Sequence, residues 1–155
     1  MKIHTYENVF LCLGALTLAA CLAALVYGSV ALDIHLPGHA GSLDPQKVHE
    51  TPPFDQPGVR EVAPGKYEVV VTGQIWSFAP NVIELPRGAE VTFIMTTPDV
   101  IHGFHVENTR VNMMLIPGQI TKNRARFDKP GEYAIICHEY CGVGHHTMYG
   151  KLVVK

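Results

Sequence analysis

The sequence lacks an excess of charge of either sign. Twelve Lys and Arg stand against fourteen Asp and Glu, giving a formal net charge of −2 and a sequence pI near 6.5. Such a balance offers no basic face to nucleic acid. Charged residues make up only 17% of the chain, and from Val9 to Leu32 there are none at all. Cysteine is scarce too: four in 155 residues, two of them, Cys12 and Cys21, inside that apolar run. Beyond the run no helical period competes with short β-type segments, and there is no internal repeat or low-complexity stretch. These absences exclude a coiled coil, a solenoid and a disulfide-dense scaffold.

The uncharged run, VFLCLGALTLAACLAALVYGSVAL, would rise roughly 36 Å as a helix and cross a hydrocarbon core of about 30 Å with some tilt. A cleaved secretory signal is the rival reading, but its apolar region is usually about 7–15 residues. Leu18-Ala19-Ala20-Cys21 has the form of a bacterial lipobox, yet the apolar run continues well past Cys21. The expectation is a retained membrane anchor over residues 1–33, in contact with membrane lipid. Lys2 precedes it and the next basic residue after it is Lys47, which fits a cytoplasmic N-terminus and an exported C-terminal domain. Cys12 and Cys21 are expected to be inert packing residues.

Residues 34–65 hold six prolines and no apolar period, and read as an extended connector laid on a neighbouring surface. His35, His39 and His49 lie there without metal-ligand spacing. From Lys66 the texture becomes strand-like: YEVVVTGQIW (67–76), NVIELP (81–86), EVTFIMT (90–96), VIHGFHV (100–106), TRVNMMLI (109–116), TKNRARF (121–127), EYAIIC (132–137) and GKLVVK (150–155). Turn signals such as Arg87-Gly88, Pro117-Gly118 and Asp128-Lys129-Pro130-Gly131 separate them. Seven or eight strands within residues 66–155 predict an all-β sandwich or Greek-key barrel.

One stretch does not belong to a core. CHEYCGVGHHTM, residues 137–148, spaces Cys137, Glu139, Cys141, His145 and Met148 along a loop between two strands. Thiolate, thioether and imidazole together select copper, zinc or iron–sulfur over magnesium and calcium. A Cys137–Cys141 disulfide, ordinary for an exported pair, would leave His145, Met148 and the distant His102 of TPDVIHGF without a shared role. Zinc rarely uses a thioether, and the barrel is large enough to fold without a metal staple. A single blue copper needs one cysteine, two histidines and a weak axial methionine. Two cysteines ask for more metal than that.

The spacing C-x-E-x-C-G-x-x-H-x-x-M, with an upstream D-V-I-H, resembles the dinuclear copper A domain of cytochrome c oxidase subunit II. PRGAEVTF, TPDVIHGFHV and PGEYAIICHEYCGVGHHTMYGKLVV extend the likeness, and a single anchor helix is similar to the B-type haem–copper oxidases. The resemblance implies a cupredoxin-like fold with one N-terminal transmembrane helix, set in a bacterial or archaeal plasma membrane with the domain on the periplasmic side. It implies that Cys137 and Cys141 bridge two copper ions, that His102 and His145 bind one each, that Met148 is a weak axial ligand, and that the backbone carbonyl of Glu139 caps the second ion.

It further implies cytochrome c as electron donor, haem in a partner subunit I that reduces dioxygen to water and pumps protons, and further small membrane subunits. In A-type relatives the glutamate matching Glu139 reaches a magnesium ion; a solvated carboxylate is the other reading here. Related subunits take up electrons through an aromatic near the copper, a role open to Trp76 or Phe78, which a strand would place on one face as a core pair. His105, His138 and His146 match no ligand of the motif, and Met113-Met114 reads as packing. The chain offers no general base, nucleophile or open substrate position, so no catalytic residue is expected. A copper A subunit of a nitric oxide reductase and a stand-alone anchored copper electron carrier are the alternatives. A nitrous oxide reductase would need a further catalytic domain, and quinol oxidase subunits lack the ligand cysteines.

Overall fold

A computed structural model of the chain describes residues 3–32 and 40–155. The chain divides into two compact units, Met1–Leu36 and Pro37–Lys155. The first contains one helix, α1 (Ile3–Ala31), which is long and apolar enough to cross a membrane. It buries none of its residues within the chain, as expected of a helix that is apolar all round. Cys12 and Cys21 are exposed on it with free thiols.

The second unit is a sandwich of two five-stranded sheets. Its strands are β1 (Gly58–Ala63), β2 (Lys66–Gln74), β3 (Ser77–Ala79), β4 (Val82–Leu85), β5 (Ala89–Thr96), β6 (His102–Val106), β7 (Asn112–Leu115), β8 (Thr121–Phe127), β9 (Gly131–Ile136) and β10 (Tyr149–Val154). One sheet runs β1-β2-β5-β8, with β3 paired to β2. The other runs β4-β10-β9-β6-β7. The pairs β2/β5 and β4/β10 are parallel and the rest antiparallel, so the chain changes sheets repeatedly, as Greek-key sandwiches do.

Period-2 alternation decides what faces inward. On β5, Val91, Phe93 and Met95 point into the core; on β6, His102, Phe104 and Val106 do so. The inner faces close on an aromatic chain. Phe78 meets Phe104 edge-on at 5.2 Å between centroids, Phe93 lies 6.0 Å from Phe104, and Phe127 lies 6.2 Å from Phe93. His102 therefore occupies a core position one alternation step from Phe104. Its ring abuts Gly73 of β2, where a Cβ would sit 3.4 Å from His102 Cδ2 and 2.9 Å from Leu115.

The expected connector 34–65 is corrected in part. Residues 34–39, with His35 and His39, lie outside the described residues. The segment from Ala40 onward is laid on a neighbouring surface as expected, but it is not extended throughout. Ser42 bridges Gln119, Pro45–Glu50 forms a 3-10 turn capped by the Asp44 carboxylate, and Val48 and Phe54 are fully buried against Val70 and Ile94 on the outer face of the first sheet. Gly58–Ala63 pairs with β2 as an edge strand carrying a bulge between Glu61 and Ala63. A boundary at residue 65 thus cuts a hairpin whose turn is Pro64-Gly65. Proline on both sides of the short β1 hid it, since Pro57 and Pro64 read as loop. His49 is exposed and hydrogen-bonds the Gln74 side chain at 3.0 Å.

The expected pairing of Trp76 and Phe78 on one strand face is also corrected. The strand read through residue 76 ends at Gln74, and Ile75-Trp76 forms the two-residue tip of the β2–β3 hairpin, with Gln74 opposite Ser77. Phe78 is buried in the core, whereas Trp76 is 42% exposed. Of the methionine pair, Met113 is buried in the core and Met114 faces outward, half-buried.

If the 40–57 segment is part of the folded unit, Phe54→Ala should destabilise it by about 3–5 kcal/mol, the usual range for emptying a buried phenylalanine site. Thermal or denaturant unfolding of the variant checks this; a loss within about 0.5 kcal/mol, typical of surface sites, would show the segment to be a loose appendage.

Candidate metal centre

The loop 137–148 leaves the core at the end of β9. Ile135 and then Cys137 take inward positions by alternation, and the Cys137 N–H donates to the Met148 carbonyl at 3.3 Å, closing the loop at its base. A short 3-10 turn, His145–Thr147, follows Gly144, and β10 begins at Tyr149. One loop, pinned at both ends by neighbouring strands, thus presents Cys137, Cys141, His145 and Met148. His102 arrives from β6.

These side chains converge. Cys137 Sγ and Cys141 Sγ lie 3.8 Å apart, both buried and both free thiols. That is nearly twice a disulfide S–S length of about 2.05 Å. One metal ion with bonds of about 2.3 Å to thiolate can reach both sulfurs across such a gap. One ligand atom each from His102, Cys137 and Cys141 fall within 4.8 Å of one another. His145 Nδ1 stands outside that triple, 3.5 Å from Cys141 Sγ. Met148 Sδ is 3.6 Å from Cys141 Sγ, and the Glu139 carbonyl oxygen is 3.3 Å from Cys137 Sγ. All six positions singled out from the sequence as metal donors are brought together.

His102 carries the most informative detail. Its ring is fully buried, and Nε2 lies 2.9 Å from Asp99 Oδ1. Asp99 thereby fixes the Nε2–H tautomer and leaves Nδ1 as a lone-pair donor. Nδ1 is buried without a hydrogen-bond partner among the described residues. An orphaned buried nitrogen costs about 1–3 kcal/mol unless something occupies its lone pair. A metal ion beside the two sulfurs would do so. The soft donor set and the orphaned nitrogen both fit copper.

The electrostatics agree. Burial, followed by the neighbouring Cys137, pushes the Cys141 thiol up to about 11 in the metal-free chain. Metal ligation must therefore displace protons here. Burial works to raise Asp99, but hydrogen bonds from His102, the Ile75 N–H, the Thr97 hydroxyl and the Val100 N–H outweigh it, so the carboxyl is held below its ordinary value and stays ionised.

Asp99 is the residue that sequence reasoning missed. The spacing D-V-I-H contained it, but only the fold shows its carboxylate against the ligand ring, the usual arrangement behind a metal-bound histidine. Of the histidines read as non-ligands, His105 Nδ1 lies 3.2 Å from the Val111 carbonyl, His138 is exposed with its ring over Gly103, and His146 is exposed. None joins a group of three metal-binding side chains among the described residues. Trp76, although off its expected strand, lies directly on this loop. A Cβ built at Gly144 would collide with its indole ring, and one at Gly142 would come within 3.3 Å of the indole nitrogen. On the same loop Tyr140 and Val143 are 74% and 83% exposed.

Comparison with known proteins agrees with this geometry. Residues 68–155 match the family model for the cytochrome c oxidase subunit II periplasmic domain. The chain is 42% identical to a cytochrome c oxidase subunit 2 of Thermus thermophilus, with 99% of this chain and 94% of that protein covered. The cryo-electron-microscopy structure of a haem–copper terminal oxidase dimer contains a chain that superposes with a TM-score of 0.79 at 33% identity, covering 97% of this chain and 99% of that one. The periplasmic domain of subunit II from Bradyrhizobium japonicum shares the fold, with a TM-score of 0.52 at 20% identity over 57% of this chain and 83% of that one. The chain belongs to the cytochrome c oxidase subunit II family and is a subunit of a haem–copper oxidase.

Proposed function

We propose that this subunit takes up single electrons from an exported cytochrome c at a dinuclear copper A centre and hands them to haem in subunit I. One observation carries the reading: two unlinked buried thiols 3.8 Å apart, beside a buried histidine nitrogen that has no other partner among the described residues. Cys137 and Cys141 would each bond both ions. His102 and His145 would supply one nitrogen each, with Met148 and the Glu139 carbonyl as weak outer donors. Bound copper would supply a one-electron redox couple at these residues, while dioxygen reduction and proton pumping belong to the partner subunit in this reading.

The chain's own contribution is rigidity and access. The donors come from a loop hydrogen-bonded at its base and from a core strand, so their positions need change little between redox states. Burial of both sulfurs and of Met148 keeps water from the metal. Trp76 lies between solvent and the loop, seated on bare glycine backbone next to His145, and is the electron-uptake point in this reading. Phe78 is buried in the core and unsuited to meeting a donor. Trp76, seated on the loop that also carries the exposed Tyr140 and Val143, would offer a cytochrome apolar side chains to dock against.

The half-buried Glu139 belongs to no group of three metal-binding side chains among the described residues, so a magnesium ion there would need donors from subunit I. For the anchor, Lys2 ahead of α1 supports a cytoplasmic N-terminus and a periplasmic domain in the bacterial or archaeal plasma membrane. The domain limits we adopt are the anchor to about residue 33 and the copper domain beyond it, with β1 included.

Reconstitution with copper should give two ions per chain and a shared-valence electron paramagnetic resonance spectrum. Cys141→Ser should abolish that spectrum; an unchanged one would refute bridging. Met148→Leu should retain both ions and shift the reduction potential by on the order of 60 mV, about tenfold in a one-electron equilibrium. Loss of copper altogether would show Met148 to be a strong ligand instead. Trp76→Leu in the assembled oxidase should slow oxidation of cytochrome c while leaving copper content and spectrum intact, as stopped-flow absorbance would report.

A further inference from the structure

The Asp99 carboxylate does more than hold one histidine. Its Oδ1 accepts from His102 Nε2 at 2.9 Å, from the Thr97 hydroxyl at 2.8 Å and from the Val100 N–H at 2.6 Å. Its Oδ2 turns the other way and accepts from the Ile75 N–H at 2.7 Å. Ile75 is half of the two-residue tip of the β2–β3 hairpin, and the other half is Trp76. The tip is tied down at three places: the Gln74–Ser77 ladder, the Asp99 carboxylate, and the contact of the indole with Gly142 and Gly144. One side chain, 27% exposed, thus joins the copper ligand on β6 to the hairpin tip that carries the exposed indole.

We infer that Asp99 is a positioning residue that couples the seat of Trp76 to the orientation of His102. A carboxylate can do this because it has two oxygens with separate acceptor directions and no donor to misplace. A local turn around Thr97 would need only Oδ1. The use of Oδ2 on a hairpin some two dozen residues away in sequence is what a merely local role leaves unexplained. In consequence, a displacement of the indole, such as a docking protein would impose, pulls on the ring that ligates metal. The inference rests on the proposed electron uptake at Trp76 for its functional meaning but not for its geometry.

Trp76 is the only tryptophan in the chain, so its fluorescence reports its seat without interference. In the isolated full-length chain in detergent, Asp99→Asn keeps size and one acceptor but loses the second. In the metal-free variant, acrylamide quenching of Trp76 should rise. After copper loading, the paramagnetic resonance signature should change and copper affinity should fall roughly 10–100-fold, as loss of a partner behind a metal-bound histidine does. Thr97→Val, which loosens the carboxylate without removing it, should move both readouts in the same direction by less, and carries the test if Asp99→Asn does not accumulate. Coupling is overturned if the variants alter the copper signature while Trp76 quenching stays at the wild-type value, or the reverse. Electron uptake at Trp76 fails separately, if Trp76→Leu leaves cytochrome c oxidation unchanged; the fluorescence result would then stand on its own.

Discussion

The constraint on which the rest depends is a buried imidazole satisfied on one side only. Folding carries His102 into the core as an inward residue of β6, against Gly73 and opposite Leu115 of β7. Asp99 meets Nε2, and nothing among the described residues meets Nδ1. Proteins rarely leave a buried polar atom unpaired. Two thiols, also buried and drawn to within 3.8 Å, stand beside it. The domain therefore stores a local deficit that a bound metal would remove, and binding energy would become stability of the same loop that supplies the candidate donors.

This division of labour suits a redox site. The sandwich is stabilised by apolar burial: the aromatic chain from Phe78 to Phe127 and the inward valines of β2 and β5 need no metal. The metal loop is a guest on that frame. Its base is closed between Cys137 and Met148, and its far side is covered by the Trp76 ring. His102 is held by Asp99 and the loop is closed at its base by backbone, so this part of the site is fixed without any metal.

How much of this could be read from the residues follows from which interactions are local. Most strands from Lys66 onward could be read because their alternating texture is local, inward and outward being decided by neighbours two apart. The twelve-residue loop announced its donors by composition alone. What escaped were pairings made at a distance. β1 is short, flanked by Pro57 and Pro64, and is a strand only because β2 offers it an edge. Val48 and Phe54 belong to a proline-rich tract with no apolar period, and only the outer side of Val70 and Ile94 gives them a place. Trp76 continued an apparent β run, yet the chain reverses at Ile75-Trp76, and no local period marks that reversal.

Asp99 belongs to the same class of omission, and it shows why the omissions gather around the site. A metal centre at the end of a sandwich is built where strands stop and loops from both sheets meet. Its supporting contacts are therefore between segments remote in sequence: β2–β3 tip to the loop before β6, β6 to the loop after β9. Ligand atoms advertise themselves through residue type, since few other roles call for cysteine, histidine and methionine at fixed spacing. The groups that hold those ligands are ordinary residues, an aspartate, a backbone N–H and glycines without a Cβ. Only coordinates distinguish them from the same residues elsewhere. In this chain the candidate donors were legible because their chemistry is rare, and their scaffolding was not because its chemistry is common.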